Sequence, residues 1–187
     1  MRIPQFHVFY GKYTASNHYY MSYAGETSWL NIIDAVVNDP EKPKLLTPAI
    51  VLNRFKEVSS PIGQTTVKNT YANIEYTTGF FALDLDDLGK RCIFVKDALF
   101  HSIDELLLVW ISSSRKGLKA IGYNERLYNI GVEEYKKVYR DICEDIRKRT
   151  YAHSKIRINF DPKVGRPHQP IFLNSDKTAN IRLWKYN

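Results

Sequence analysis

The sequence has few of the features that mark disulfide-rich, zinc-bound or membrane-spanning proteins. It contains only two cysteines, Cys92 and Cys143, with no local pairing pattern, which argues against a disulfide framework and against a zinc site. No apolar run approaches the ~20 residues that a membrane-spanning helix needs, and no apolar stretch typical of a signal peptide follows residues 1–4. We therefore expect a soluble, cytoplasmic protein that has no membrane partner and keeps both thiols reduced.

The sequence also lacks internal repeats, low-complexity tracts and a linker that would divide it. A chain of 187 residues without such divisions is predicted to form one domain of mixed type, spanning residues 1–187. The formal net charge of +7 and the pI of about 9.3 favour a polyanionic partner such as nucleic acid or a nucleotide. Charge alone is a weak indication, because many basic proteins bind no polyanion.

Hydrophobic periodicity predicts helices and short strands that are interspersed along the chain. Helices are expected over residues 27–38, 89–101 and 132–150. Strands are expected over residues 5–10, 18–23, 49–55, 79–86, 106–111, 118–122, 156–160 and 171–173, with a polar connection over 59–69. Residues 71–76 are expected to form either a strand or an extended approach to the strand over 79–86. The continuous apolar run over 106–111 is typical of a strand in a buried parallel sheet.

Two of the predicted helices have recognisable apolar faces. The first is expected to bury Leu30, Ile33, Val36 and Val37. The helix over 132–150 is expected to bury Tyr135, Val138, Tyr139, Ile142 and Ile146, with Cys143 beside them in the core. Its opposite face is either simply solvated or follows the phosphates of a nucleic acid, and it carries Lys136, Lys137, Arg140, Arg147 and Lys148.

An apolar strand that ends in two carboxylates is the most informative stretch of the chain. Residues 79–86 read Gly-Phe-Phe-Ala-Leu-Asp-Leu-Asp, and strand alternation puts Ala82, Asp84 and Asp86 on one face. Two residues along a strand span roughly 6.6 Å, so these carboxylates can converge on two divalent ions about 4 Å apart. The alternative is a solvated strand end that caps the next helix, and Asp-x-Asp pairs also occur in glycosyltransferases and dehalogenases.

A basic turn follows between two later strands and reads Ser-Ser-Ser-Arg-Lys-Gly-Leu-Lys over residues 112–119. Ser114 and the backbone around Gly117 can donate hydrogen bonds to phosphate oxygens, since glycine lets a ligand approach the backbone closely. Positive charge comes from Arg115, Lys116 and Lys119. An exposed basic hairpin without a ligand is the alternative. A third acidic position, Asp161, ends the strand predicted over 156–160.

These three motifs, in this order, resemble the archaeo-eukaryotic primase superfamily, whose members share a primase-polymerase catalytic domain. That family has an Asp-x-Asp motif, a Ser-x-His-type motif in a basic turn, and an apolar-Asp motif. The branch that the chain resembles most is the primase-like domain of phage and mobile-element proteins that are linked to VirE-type or helicase regions. The resemblance covers residues 43–176 and has two departures, because the usual histidine falls on Lys119 and the spacing after Arg166 differs.

The resemblance implies a fold, a reaction and a set of site residues. The fold would be α/β or α+β, with a mixed β-sheet core flanked by helices and an RRM-like unit. The reaction would be template-dependent nucleotidyl transfer by a DNA primase or primase-polymerase in DNA replication, with two Mg²⁺ or Mn²⁺ ions held by the catalytic residues Asp84, Asp86 and Asp161. The NTP or dNTP would be bound by Ser112, Ser114, Arg115, Lys116, Gly117, Lys119 and Arg166. Single-stranded DNA would be the template, and a replicative helicase would be a further partner, in cis or in trans.

Two other functions fit the same residues. A non-catalytic relative would keep the fold and bind nucleic acid without polymerising. An unrelated metal-dependent nuclease or phosphohydrolase would use the same three aspartates. A replication-initiator endonuclease is disfavoured, because the sequence has no His-x-His pair to bind its metal.

Overall fold

A computed structural model describes residues 5–13, 19–42, 46–59, 65–68, 70–161 and 165–183 of the chain. Within these ranges the α-helices are α1 Trp29–Val37, α2 Cys92–Ser102 and α3 Val132–Ser154. The strands are β1 Gln5–Tyr13, β2 Tyr19–Ser28, β3 Ala49–Val51, β4 Arg54–Phe55, β5 Glu57–Ser59, β6 Thr65–Val67, β7 Ile74–Tyr76, β8 Thr78–Leu85, β9 Leu106–Ile111, β10 Leu118–Tyr128, β11 Ile171–Phe172 and β12 Asn180–Ile181. No helix in the described part of the chain is both long and apolar enough to cross a membrane.

The strands form two four-stranded sheets and two small ribbons. The first sheet has the order β11-β3-β1-β2 and the second β12-β9-β10-β8, while β4 pairs with β7 and β5 with β6. Every one of these pairings is antiparallel. Sheets and helices together give the predicted α+β class, with antiparallel pairs where a mixed sheet was expected.

The interpretation of β9 as a parallel strand is wrong, since it runs antiparallel to both β10 and β12. Its continuous hydrophobicity arises because both faces of the second sheet are covered. Val109 and Ile111 belong to a core on the side of α2 and α3, whereas Leu108 and Trp110 belong to a core shared with α1 and the first sheet. Burial on both faces produces the same apolar run in antiparallel and parallel strands.

Helix α1 begins and ends as predicted but is rotated relative to the predicted face. The Ser28 hydroxyl caps it by accepting a hydrogen bond from the Asn31 amide at 3.3 Å. Its buried residues are Trp29, Ile32 and Val36, and Leu30 is 61% exposed. The large Trp29 ring contacts Phe6 and Phe80 in the core and so sets the orientation of the helix.

Helix α3 confirms the predicted apolar face and continues to Ser154, four residues beyond the predicted end. It buries Tyr135, Tyr139, Ile142, Cys143, Ile146 and Thr150 against the second sheet. Burial raises the pKa of the Cys143 thiol to about 11, so this cysteine stays protonated and serves as a core residue.

Several strand boundaries differ from the predicted ones. The run over 49–55 is divided between β3 and β4, which lie in different sheets, and the polar connection over 59–69 contains part of the β5–β6 hairpin. The predicted strand over 118–122 extends to Tyr128. Residues 156–160 form no strand, although they lead directly to the edge of the second sheet.

Strand β8 lies at the edge of the second sheet, and other elements satisfy its outward carbonyls. The Tyr135 hydroxyl donates to the Phe80 carbonyl at 3.4 Å, and the Tyr139 hydroxyl donates to the Ala82 carbonyl at 2.8 Å. The next outward carbonyl, that of Asp84, accepts from the Asp161 amide at 2.9 Å. These bonds seal an edge whose polar groups would otherwise need water or another strand.

We predict that Tyr139→Phe lowers the free energy of unfolding by about 1–3 kcal/mol, because it leaves the buried Ala82 carbonyl without a donor. The measurement is urea unfolding followed by circular dichroism. The matched control is Tyr151→Phe, at an exposed position on the same helix, which should change stability by less than about 0.5 kcal/mol. Equal effects of the two substitutions would contradict the role assigned to Tyr139.

Candidate active site

Three segments that are distant in the sequence meet at the end of β8. Asp84 is the penultimate residue of this strand, and the antiparallel register places Lys119 of β10 directly opposite it. On the outer side, the Asp161 backbone amide donates to the Asp84 carbonyl at 2.9 Å. The structure therefore brings together the strand-end carboxylates, the basic turn and the third predicted aspartate.

Strand alternation in β8 follows the predicted pattern. Leu83 and Leu85 lie in the core beneath α2 and α3, while Phe80 and Ala82 lie in the core shared with the first sheet. Asp84, two residues beyond Ala82, points to the face of the first sheet.

The Asp84 carboxylate is poorly solvated and only half satisfied. Its side chain is 18% exposed, and one oxygen, Oδ2, accepts a hydrogen bond from the Lys119 ammonium. The other oxygen, Oδ1, is buried and has no hydrogen-bond partner in the described structure. Burial raises the pKa of Asp84, Lys119 opposes this increase, and the nearby Asp86 and Asp161 charges add to it.

The strand end at Leu85 and Asp86 packs closely against the basic turn, and this close packing requires glycine at position 117. A Cβ on Gly117 would lie 2.3 Å from the Leu85 carbonyl oxygen, which no side chain can do without moving the backbone. The same position is 3.2 Å from the Ser112 hydroxyl and 3.3 Å from Asp86 Oδ1. Glycine at 117 thus lets the turn pack directly on the acidic strand end.

The basic turn is a hairpin loop that has its own hydrogen bonds. The Ser112 amide donates to the Gly117 carbonyl and the Arg115 amide to the Ser112 carbonyl, both at 2.9 Å. The hydroxyls of Ser112 and Ser114 lie 3.0 Å apart, and the Lys116 amide donates to Ser114 Oγ at 3.3 Å. The two serines therefore shape the turn in this structure.

A further hydrogen bond attaches the turn to the chain that leaves β8. The Leu88 amide donates to the Lys116 carbonyl at 2.7 Å. Arg115 and Lys116 are exposed, and Arg115 forms an ion pair with Glu41 at 3.3 Å, an exposed contact of little energetic weight. These two cationic side chains of the turn therefore lie at the protein surface.

Arg166 lies elsewhere than the other predicted nucleotide-binding residues. It lines an open cleft of about 1140 Å³ beside α3, which Asp161 also lines but the turn does not. The cations of this cleft are Lys136, Arg140, Arg147 and Arg166, and its acids are Glu133, Asp141, Glu144 and Asp161. Because the two signs balance, the cleft has no marked preference for a polyanion.

The sequence did not predict a role for the residues that bind the backbone just before the basic turn. Asn174 and Asp176, both buried, hold the backbone at the end of β9, and Lys96 lies beside Asp176. The only sequence signal was the polar Asn-Ser-Asp that follows a short strand. It gave no indication of the strand that these side chains contact.

The donor chemistry of the acidic strand end fits a divalent cation. All the candidate ligands are carboxylates, which Mg²⁺ and Mn²⁺ prefer, and the unpartnered Asp84 Oδ1 is a buried acceptor in need of a positive charge. Even so, the described residues form no group of three or more His, Cys, Asp or Glu side chains already arranged to hold a metal ion. In this structure the Lys119 ammonium supplies the positive charge at Asp84.

Comparisons with known proteins add little. No family model and no curated protein matches the chain. Among solved structures, the chain is similar to the polymerase domain of ligase D from Mycobacterium tuberculosis in complex with DNA, at 12% identity and a TM-score of 0.40. The similarity covers 68% of this chain and 46% of that one. A likeness this weak identifies neither a shared fold nor a shared function.

We predict that Asp84 and Lys119 are energetically coupled. In metal-free buffer, Lys119→Met should lower the free energy of unfolding by about 1–3 kcal/mol, since it leaves a mostly buried carboxylate without its nearest cation. In an Asp84→Asn background the same substitution should cost less than about 0.5 kcal/mol. Urea unfolding of the parent, both single variants and the double variant measures the coupling, and strictly additive effects would contradict it.

Proposed function

We propose that this protein is a template-dependent nucleotidyl transferase of the primase-polymerase type. The observation that carries the proposal is the meeting of Asp84, Asp86 and Asp161 with a basic, glycine-containing turn at one strand end. Carboxylates beside a phosphate-binding turn are what the transfer of a nucleotide from a triphosphate requires. The reaction would join an incoming NTP or dNTP to a 3′-hydroxyl on a single-stranded DNA template.

The three aspartates would hold Mg²⁺ or Mn²⁺. When bound, such ions supply charge neutralisation on the triphosphate and activation of the attacking hydroxyl. Asp84 provides an oxygen to which no described residue donates, and Asp86 lies against the turn where the triphosphate would lie. The backbone hydrogen bond between Asp161 and Asp84 supports a role for Asp161 as the third carboxylate, since it holds the Asp161 backbone beside the end of β8.

The basic turn would bind the phosphates of the nucleotide. The exposed Arg115 and Lys116 would supply positive charge, and Gly117 lets the turn pack close to Asp86. Lys119 occupies the position of the family's usual histidine and donates to Asp84. We propose that the Lys119 ammonium balances the charge of the Asp84 carboxylate before the nucleotide binds. It would then contribute positive charge beside the triphosphate.

Most of the catalytic effect would come from positioning and electrostatics. Asp84 and Lys119 are cross-strand neighbours in a sheet that is covered on both faces, so their backbone positions are firmly held. The net charge of +7 would attract a template through its phosphates, with an affinity that falls as salt rises.

A non-catalytic nucleic-acid-binding relative is the second candidate function. The Lys119–Asp84 ion pair favours it, since the pair satisfies part of the acidic site without a metal. The absence of a ready metal-binding group among the described residues points the same way. In that case the protein would bind single-stranded DNA in the presence of a chelator as well as in its absence.

We predict that Asp84→Asn and Asp86→Asn each reduce primer extension by a factor of about 100 or more, a loss typical of groups that act on the transition state directly. The assay uses a labelled primer–template with Mg²⁺ or Mn²⁺ and with NTPs or dNTPs in turn. The matched control is Asp87→Asn, which changes the next, exposed carboxylate and should retain activity.

Three outcomes of that assay bear on the proposed transferase and on the assignment of its site. Extension by the parent and by Asp87→Asn, but not by the other two variants, supports the transferase. Shortening of the labelled strand indicates a nuclease that uses the same aspartates. Extension by Asp84→Asn at the parent rate would contradict the proposed site.

A further inference from the structure

On the side of β9 that faces away from β10, no strand among the described residues pairs with the last residue of β9, and side chains hold the backbone there instead. Strand β12 pairs with β9 only at Leu108 and Val109. At Ile111, the backbone amide donates to Asp176 Oδ2 at 2.7 Å, and the backbone carbonyl accepts from Asn174 Nδ2 at 2.8 Å. Two buried side chains thus replace the missing strand at the residue that directly precedes the basic turn.

Asp176 is itself fixed from several directions. Its other oxygen, Oδ1, accepts from the amide and the hydroxyl of Thr178 at 2.9 and 2.7 Å, and its own amide donates to the Val36 carbonyl at 2.7 Å. The Lys96 ammonium lies 3.8 Å from Asp176 Oδ2 and donates to the Thr178 hydroxyl at 2.8 Å. Both charged side chains are 2% exposed.

Asn174 extends the same support to the residue before Ile111. Its Oδ1 accepts from the Trp110 indole at 3.2 Å. Trp110 is the cross-strand neighbour of Lys119 in the register of β9 and β10. Asn174 therefore holds the strand residue that lies beside Lys119, as well as the backbone that leads into the turn.

A buried ion pair is a poor way to gain stability alone. Replacing such a pair with apolar side chains is often neutral or stabilising, because removing two charges from water is costly. The charges at Lys96 and Asp176 are therefore better explained by the geometry they impose. That geometry reaches the turn through Ile111, since the following Ser112 amide closes the turn onto Gly117.

We infer that Asn174 and Asp176 are positioning residues that fix the basic turn relative to the aspartates at the end of β8. The functional consequence of this inference, that the turn is held ready to bind a triphosphate, rests on the proposed function. Neither side chain would touch the nucleotide. Both would act through the backbone of Ile111.

The test compares Asn174→Ala with Thr77→Val. Thr77 is a matched control, because its buried hydroxyl binds both the amide and the carbonyl of Ile130, at the opposite end of β8 from Asp84. Three properties are measured: hydrogen–deuterium exchange of residues 112–117, calorimetric affinity for inorganic tripolyphosphate with Mg²⁺, and affinity for Mn²⁺ alone. Tripolyphosphate probes the turn without a base or a sugar.

Asn174→Ala is expected to speed exchange in the turn and to weaken tripolyphosphate binding by about tenfold or more, as misplaced binding groups do. Its affinity for Mn²⁺ alone should change by less than about twofold, because the aspartates remain in place. Thr77→Val, at a comparable loss of melting temperature, should leave the exchange of the turn and both affinities unchanged.

Unchanged exchange of the turn in Asn174→Ala, or an equal increase in both variants, would overturn the inference. If the parent binds no tripolyphosphate, the proposed function fails, while the exchange data still decide the positioning role. If Asn174→Ala does not fold, the double variant Asp176→Asn with Lys96→Met replaces it. That variant leaves no charge unpaired, but residue 176 then has one acceptor oxygen for the donors of both Ile111 and Thr178. The turn should therefore exchange faster. A turn as protected from exchange as in the parent would contradict the inference.

Discussion

Strand β8 is an edge strand, and the need to satisfy its outward carbonyls organises much of the second sheet. Two tyrosines of α3 and the amide of Asp161 donate to three alternate carbonyls along that edge. Unpaired backbone groups at a sheet edge need water or another donor. The bonds that seal the edge also bring Asp161 to Asp84. The candidate site therefore depends on the same contacts that complete the fold.

On the side of β8 that faces β10, an electrostatic interaction stabilises the end of the strand. A carboxylate as buried as Asp84 is costly without a positive charge nearby, and the cross-strand Lys119 supplies one. The turn then packs on the strand end through Gly117, where no side chain would fit. Cations and carboxylates are thereby held a short distance apart on a rigid frame. The proposed phosphate chemistry rests on that arrangement.

Local patterns in the sequence predicted much of this arrangement. Alternation along residues 79–86 correctly assigned the two faces of β8, and the apolar face of α3 followed from its helical spacing. The basic turn was also recognisable, because a stretch that contains serine and glycine separates two apolar runs. These features depend on residues close together in sequence, and short-range periodicity records them.

Long-range contacts were not predictable in the same way. An apolar run such as that of β9 is identical in parallel and antiparallel sheets when both faces are buried. Asp161 reaches β8 from a segment that is not a strand, so no periodic pattern revealed the contact. The hydrogen bonds of Asn174 and Asp176 join residues more than 60 positions apart. The position of Arg166 beside α3 depends on how its loop packs, which residue spacing does not specify.

We propose that the end of β8 is a divalent-cation site that faces the basic turn. Paramagnetic broadening of backbone amide signals by substoichiometric Mn²⁺ tests it directly, since the effect is strongest near the bound ion. We expect the amides of Asp84, Asp86, Gly117 and Asp161 to broaden first, and Asp84→Asn to remove the effect. Broadening confined to the acids of the α3 cleft, Glu133, Asp141 and Glu144, with the β8 signals unaffected, would contradict it.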